Sequence, residues 1–195
     1  MTDDLDHKAG LRLAMRARRR ALGVERPDAA LRAAAAYESA PFGGVRTAAV
    51  YLAQGGEIDP LPLAAVLQRF GVGLCLPAVA ARDHSLAFRA WSPGNPMEPD
   101  ILGIPAPRPE AAVCTPDLIV APLLAFDRAG RRLGQGGGYY DRSLAGLRAD
   151  GHVFALGLAY AGQEVDDLAD EEHDQRLDAI LTEDGLILAD AAEPA

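Results

Sequence analysis

The stretch Pro116-Asp-Leu-Ile-Val-Ala-Pro-Leu-Leu-Ala-Phe-Asp-Arg-Ala-Gly-Arg-Arg-Leu-Gly-Gln-Gly-Gly-Gly-Tyr-Tyr-Asp-Arg142 decides how this chain folds. It opens on a short apolar run, Asp117–Ala121, as a strand buried in a parallel sheet requires. Gly134, Gly136, Gly137 and Gly138 then remove Cβ atoms, so backbone N–H groups can approach an anion closely. The pattern predicts a helix from about Gly138 to Arg148, whose N-terminal partial positive charge adds to the attraction. Arg131 and Arg132 stand beside the loop, able to pair with phosphate oxygens. In an open parallel sheet, ligands gather beyond the carboxyl ends of the strands, which is where this loop belongs.

Outward from this stretch the same alternation continues. Downstream, Val153–Leu158 reads as the next buried strand and Asp170–Leu177 as a short helix. Ala179–Leu181 and Leu186–Leu188 read as short terminal strands. Upstream, residues 5–22 read as a helix with Leu11, Ala14, Met15 and Leu22 along an apolar stripe. Lys8, Arg12, Arg16 and Arg19/Arg20 recur at i, i+4, i+8 on another face. A second, Ala-rich helix covers roughly 28–39, opened by Pro27-Asp28. Val45–Ala53 is β-prone and ends in Gln54-Gly-Gly56. Asp59-Pro60 opens a helix running to about Phe70. Val72–Leu76 is a short strand stopped by Pro77, Leu86–Trp91 is another, and the Pro-rich residues 92–116 are an irregular excursion. Strands alternating with helices imply an α/β fold: a mostly parallel open sheet with helices on both faces, in a Rossmann-like three-layer arrangement. Without an internal repeat or a long linker, residues 1–195 read as a single domain, large enough to bury roughly 70% of its unfolded surface.

Composition narrows the function. The formal net charge is −9, so a nucleic-acid backbone is repelled. The 6% aromatic content leaves little for base stacking. Five arginines crowd the first 22 residues, so one local anion site survives this argument. Cys75 and Cys114 form no C-x-x-C pair and read as reduced thiols. The acidic start lacks the apolar core of a secretory signal, and no apolar run spans a bilayer. The expectation is a cytoplasmic protein with no membrane and no obligate protein partner. Of its 19 basic residues only Lys8 is a lysine. A compact ammonium one helical turn before Arg12 suits a phosphate contact, whereas Arg16 to Arg20 read as a solvated face.

The glycine loop departs from the familiar nucleotide signatures. The chain has no G-x-x-x-x-G-K-S/T, and Gly134-Gln-Gly-Gly-Gly-Tyr139 lacks the spacing G-x-G-x-x-G. Arg132-Leu-Gly-Gln-Gly-Gly-Gly-Tyr-Tyr-Asp-Arg142, preceded by Ala125-Phe-Asp127, instead closely resembles the signature of the 5-formyltetrahydrofolate cyclo-ligase family. The resemblance runs along nearly the whole chain. Lys8-x-x-x-Arg12 resembles the family's N-terminal nucleotide-binding pair. Gly56-Glu-Ile-Asp59 resembles its folate-contacting loop, and Gly103-Ile-Pro-Ala-Pro107 its Gly-Ile-x-x-Pro segment. Glu172-His-Asp174, with Leu177-Asp178 and Thr182-Glu183, resembles its C-terminal metal motif. Two departures stand out: many relatives carry Pro near Ala169, and some carry Lys where this chain has Gly137.

What the resemblance implies is an ATP-dependent enzyme that closes 5-formyltetrahydrofolate to 5,10-methenyltetrahydrofolate. The formyl oxygen attacks the γ-phosphate, giving a phosphorylated imine; a second folate nitrogen closes the ring and phosphate leaves. Lys8, Arg12 and the loop Arg132, Leu133, Gly134, Gln135, Gly136, Gly137, Gly138, Tyr139 and Tyr140 would hold ATP. Leu52, Glu57 and Gln135–Tyr139 would contact the folate, with Arg132 and Tyr139 closest to the chemistry. Asp141 and Asp174 would bind Mg²⁺, since two carboxylates plus phosphate oxygens and water suit a small hard cation. Read without the family, Glu57 is a solvated loop acid, Asp141 a helix-terminal acid and Asp174 a surface acid in an acidic stretch. Of the adjacent tyrosines, one is expected to face the core and Tyr139 the folate. The competing functions are a phosphosugar isomerase or acyl-CoA transferase on a related fold, which would need no nucleotide, and a non-catalytic folate or nucleotide binder.

Overall fold

A computed structural model describes residues 2–39, 42–169, 171 and 173–190. In chain order the elements are α1 (Thr2–Glu25), α2 (Ala29–Ser39), β1 (Thr47–Ala49), α3 (Leu61–Arg69), β2 (Gly73–Ala78), β3 (Ala87–Ala90), β4 (Met97–Pro99) and β5 (Pro105–Pro107). There follow β6 (Leu118–Pro122), β7 (Ala125–Phe126), β8 (Arg132–Leu133), α4 (Tyr139–Asp150), β9 (Phe154–Leu158), a 3₁₀ turn (Ala161–Gln163), β10 (Ala179–Thr182) and β11 (Gly185–Leu188).

Seven strands form one sheet in the order β11-β10-β9-β6-β1-β2-β3. The five inner strands are parallel; β3 and β11 close the edges antiparallel. The run Leu-Ile-Val-Ala of β6 lies at the centre and sorts its side chains to two cores. Leu118 and Val120 join Ala33, Tyr37, Leu63 and Leu67 of α2 and α3 on one face. Ile119 and Ala121 join Leu144 of α4 on the other. The expected three-layer α/β arrangement is therefore present, and a strand buried on both faces needs the continuous apolar run that the sequence shows.

From β1 the chain winds outward through α3 to β2, and from β6 it winds the opposite way through α4 to β9. Strand order thus reverses between β1 and β6, and the carboxyl ends of these two neighbours splay their connections apart. That is the place where a parallel open sheet leaves a crevice.

The structure departs from the sequence expectations in four places. First, β2 runs through Pro77 instead of stopping there. Cys75 turns its carbonyl to β1, accepting from Val50 N at 3.0 Å, so Pro77 turns its nitrogen to the same side. Pairing with β1 has ended by then at Cys75, and the missing N–H costs no ladder bond. Second, 92–116 contains the β4–β5 hairpin, and a β7–β8 hairpin precedes the glycine loop. Third, the described residues of 170–177 are not helical; residues 170 and 172 lie outside the described residues. Its polar groups serve other elements: Gln175 N donates to Asp141 at 3.1 Å, and Leu177 N to the Gly130 carbonyl at 2.8 Å. Backbone groups so engaged are lost to an i→i−4 ladder. Fourth, α1 buries Lys8, Met15, Arg19 and Leu22 together, so basic and apolar positions share one face.

Candidate active site

A cavity of about 580 Å³ opens at the switch point. Its walls include the turn after β1, the end of β2, the end of β6, the glycine loop and first turn of α4, the inner face of α1, and residues 167–169, 171 and 174. The residues that the resemblance assigns to ATP, folate and Mg²⁺ all line it: Lys8, Arg12, Leu52, Glu57, Arg132 through Asp141, and Asp174. Arg131, expected beside the phosphates, does not; its guanidinium pairs with Asp127 and Asp167. Tyr139 and Tyr140 both reach the cavity, contrary to the expected division of the pair, although Tyr140 also packs against the α4-side core. Burial pushes the Tyr140 hydroxyl well above the usual phenol range, with the Glu57 charge adding to the effect.

The glycine loop has the backbone its composition predicts. Gly136 and Gly138 sit at φ +99° and +63°, a region that side chains disfavour. Gly138 precedes α4 without a side-chain cap, so the first-turn N–H groups of that helix are not taken by a capping residue. Arginines brace the loop from outside. Arg12 Nε donates to the Gly134 carbonyl at 3.2 Å, and Arg16 Nε to the Gln135 side chain at 2.9 Å. Arg142 donates to the Gly137 carbonyl at 2.8 Å and lies 5.1 Å from the centre of the Tyr139 ring. The backbone bonds among these use the loop's oxygens, not its N–H groups.

Beside the loop stands a cluster of charges. Arg132, nearly buried, donates to Asp141 at 2.6 Å and to the Gln175 carbonyl. Asp174 accepts from Glu171 N at 3.1 Å. Burial raises the Asp174 carboxyl above its ordinary range; the Glu171 N–H opposes this, and the Asp141 charge reinforces it. Lys8 Nζ lies 2.5 Å from Glu171, whose carboxyl is held below its ordinary range by that hydrogen bond and charge. The described residues contain no group of three or more His, Cys, Asp or Glu placed to cage a metal. A divalent cation here would have to take most of its ligands from phosphate and water, as Mg²⁺ does.

Another part of the cavity wall is built around Glu57. Its Oε2 accepts from Gln54 N at 2.9 Å and its Oε1 from Arg19 at 3.2 Å. Burial raises the Glu57 carboxyl, while the Gln54 N–H and then the Arg19 guanidinium pull it back. Glu57 is thus a buried, partnered carboxylate and not a solvated loop acid. Arg19 is the residue that the sequence reading missed. The signal was available: positions 8, 12, 15, 19 and 22 fall on one helical face, and Met15 and Leu22 mark that face as the inward one.

A cavity at the switch point of a doubly wound sheet, lined by glycine backbone, arginines and a buried carboxylate, defines an α/β protein with a small-molecule site. Comparison with known proteins narrows this class. A model of the 5-formyltetrahydrofolate cyclo-ligase family matches residues 4–183. The chain is 35% identical over 138 residues to the 5-formyltetrahydrofolate cyclo-ligase of Haemophilus influenzae, covering 68% of this chain and 73% of that one. It is 35% identical over 141 residues to that of Escherichia coli K12, covering 70% and 77%. The 5,10-methenyltetrahydrofolate synthetase of Aquifex aeolicus superposes with a TM-score of 0.78 at 27% identity, covering 96% of this chain and 95% of that one. The corresponding structure from Mycoplasma pneumoniae, at 24% identity and a TM-score of 0.70, covering 90% of this chain and 98% of that one, shares the fold. This chain belongs to the 5-formyltetrahydrofolate cyclo-ligase family.

Proposed function

We propose that this protein closes 5-formyltetrahydrofolate to 5,10-methenyltetrahydrofolate, converting ATP to ADP and phosphate. The observation that carries the reading is the cavity itself, which brings the glycine loop, its arginines and the buried Glu57 together around one continuous space. The formyl oxygen attacks the γ-phosphorus as the bond to ADP breaks. A second folate nitrogen then attacks the formyl carbon and gives up its proton to solvent, and the carbon–oxygen bond breaks to release phosphate. Neither step needs a protein nucleophile, so the chain's work is positioning and charge stabilisation. Lys8, Arg12 and the loop Arg132–Tyr140 hold the phosphates, with Arg132 beside the transferring group. Leu52, Glu57 and Gln135–Tyr139 hold the folate, Glu57 accepting from pterin N–H groups and Tyr139 lying closest to the reacting end.

Asp141 and Asp174 fit a Mg²⁺ ion. Each keeps one oxygen outside the hydrogen bonds described above, and a cation held by both would relieve the charge that Asp141 places on the buried Asp174. Such an ion would supply neutralisation of phosphate charge; Arg132 fixes the Asp141 side chain.

Incubation with 5-formyltetrahydrofolate, ATP and Mg²⁺, following methenyl absorbance and ADP together, should give one ADP per ring closed. Asp174→Asn should raise the Mg²⁺ concentration needed for activity while the fold stays intact. Ring closure at full rate with a chelator, or without nucleotide, would refute the mechanism; the isomerases and transferases of related folds need neither.

A further inference from the structure

Arg19 does more than join a solvated face. It is 2% exposed and makes four hydrogen bonds to two separate walls of the cavity. One nitrogen donates to Glu57 at 3.2 Å and to the Leu123 carbonyl at 3.1 Å; the other donates to the Gln54 and Gly55 carbonyls at 3.4 and 3.3 Å. Gln54, Gly55 and Glu57 follow β1, whereas Leu123 follows β6. One guanidinium therefore bridges the two connections that diverge at the switch point.

From this we infer that Arg19 is a positioning residue for the folate-binding half of the site, clamping Glu57 and the Gln54-Gly55 turn to the end of β6. The inference rests on the proposed role of Glu57 toward the pterin. A buried guanidinium requires a counter-charge, and Glu57 is the carboxylate hydrogen-bonded to it. A carboxylate has about four acceptor sites; Arg19 and Gln54 N occupy one on each oxygen, which leaves capacity for a ligand. The other titratable groups that face Glu57 are Tyr51 and Tyr140, whose burial keeps both phenols neutral. Arg19 is thus the charged side chain that offsets the burial of Glu57. Without it, the carboxyl takes up a proton at higher pH and can no longer accept two hydrogen bonds from a ligand.

The test compares Arg19→Gln and Arg19→Lys with the full-length protein in two measurements. In the ligand-free protein, ¹³C NMR titration of glutamate carboxyls, assigned with Glu57→Gln, should show the Glu57 midpoint rising by about one pH unit or more in Arg19→Gln and staying near its original value in Arg19→Lys. In turnover, Arg19→Gln should raise KM for 5-formyltetrahydrofolate roughly tenfold or more and leave that for ATP within about twofold, as expected for lost contacts at one end of the site. Arg19→Lys keeps the charge without the fork and should recover part of the loss; if the Gln variant does not fold, the Lys variant decides alone, by an unmoved midpoint with a raised folate KM. An unshifted Glu57 midpoint in Arg19→Gln overturns the inference. So does a parallel rise in both KM values with a matching loss of thermal stability. Absence of folate turnover in the unsubstituted protein would defeat the proposed function, and the NMR titration would still judge the clamp.

Discussion

Lys8 is a buried ammonium whose partner reaches into water: its side chain is 10% exposed, and that of Glu171 is 56% exposed. The contact is easily exchanged, because an exposed carboxylate loses little by returning to solvent. A phosphate oxygen arriving from the cavity would find a cation already in place. Lys8→Ala should therefore raise the Kd for ATP about tenfold, the scale of one charge-assisted hydrogen bond, and leave the Kd for folate unchanged in calorimetry. Helix propensity is nearly conserved by this change. Lys8→Arg should restore only part of the affinity, since a planar fork replaces a compact charge in a confined place; full affinity in both variants would remove α1 from the nucleotide site. Lys8 was legible in the sequence because it is the one lysine among arginines. Arg19 was overlooked because it sits in a run of arginines that looks solvated; only its spacing from Met15 and Leu22 marks it as inward.

At the scale of elements, the legible parts were those with local causes. The central strands announce themselves by continuous apolar runs, and α4 by the glycines before it. The segment 170–177 does not, because its conformation is dictated from afar. Its backbone serves Asp141, Arg132 and Gly130, and no local pattern encodes such bonds. The β7–β8 turn was overlooked although part of its cause is local: the Asp127 side chain accepts from Arg131 N, four residues on, at 3.0 Å, and from the distant Leu168 N at 3.1 Å. Gly130 in this turn has φ +79°, and a Cβ there would meet the Leu177 carbonyl oxygen at 2.4 Å. The obstacle is backbone and cannot rotate away. Gly130→Ala should destabilise the protein by about 2 kcal/mol or more, lowering the melting temperature by roughly 4–8 °C. An unchanged melting curve would show that the turn and the segment it supports are not rigidly joined.

Over the whole molecule, the cavity is tied together by contacts between distant parts of the chain. Lys8 meets Glu171 across 163 residues, Arg12 meets Gly134 across 122, and Arg19 meets Leu123 across 104. Helix α1 is held mainly by these polar ties and by the few apolar anchors Met15 and Leu22. Such an element opens at lower free energy than the sheet, and ligands that grip it should close it. Amide exchange across residues 11–20 should be faster than in β6 and β9, and should slow markedly when ATP, Mg²⁺ and 5-formyltetrahydrofolate are all present. Equal protection with and without ligands would mean that α1 is already locked. The position of β1 also bears on synthesis. Its parallel partner β2 follows closely, but Thr47 must wait for Asp117, 70 residues later, to meet its other neighbour. During that interval the nascent chain leaving the ribosome presents a strand with one unpaired edge that will become an inner strand of the sheet. β1 has only three residues, too few to make a good template for a neighbouring chain. Its brevity protects the growing polypeptide from aggregation, and lengthening it should lower the yield of soluble protein in cells.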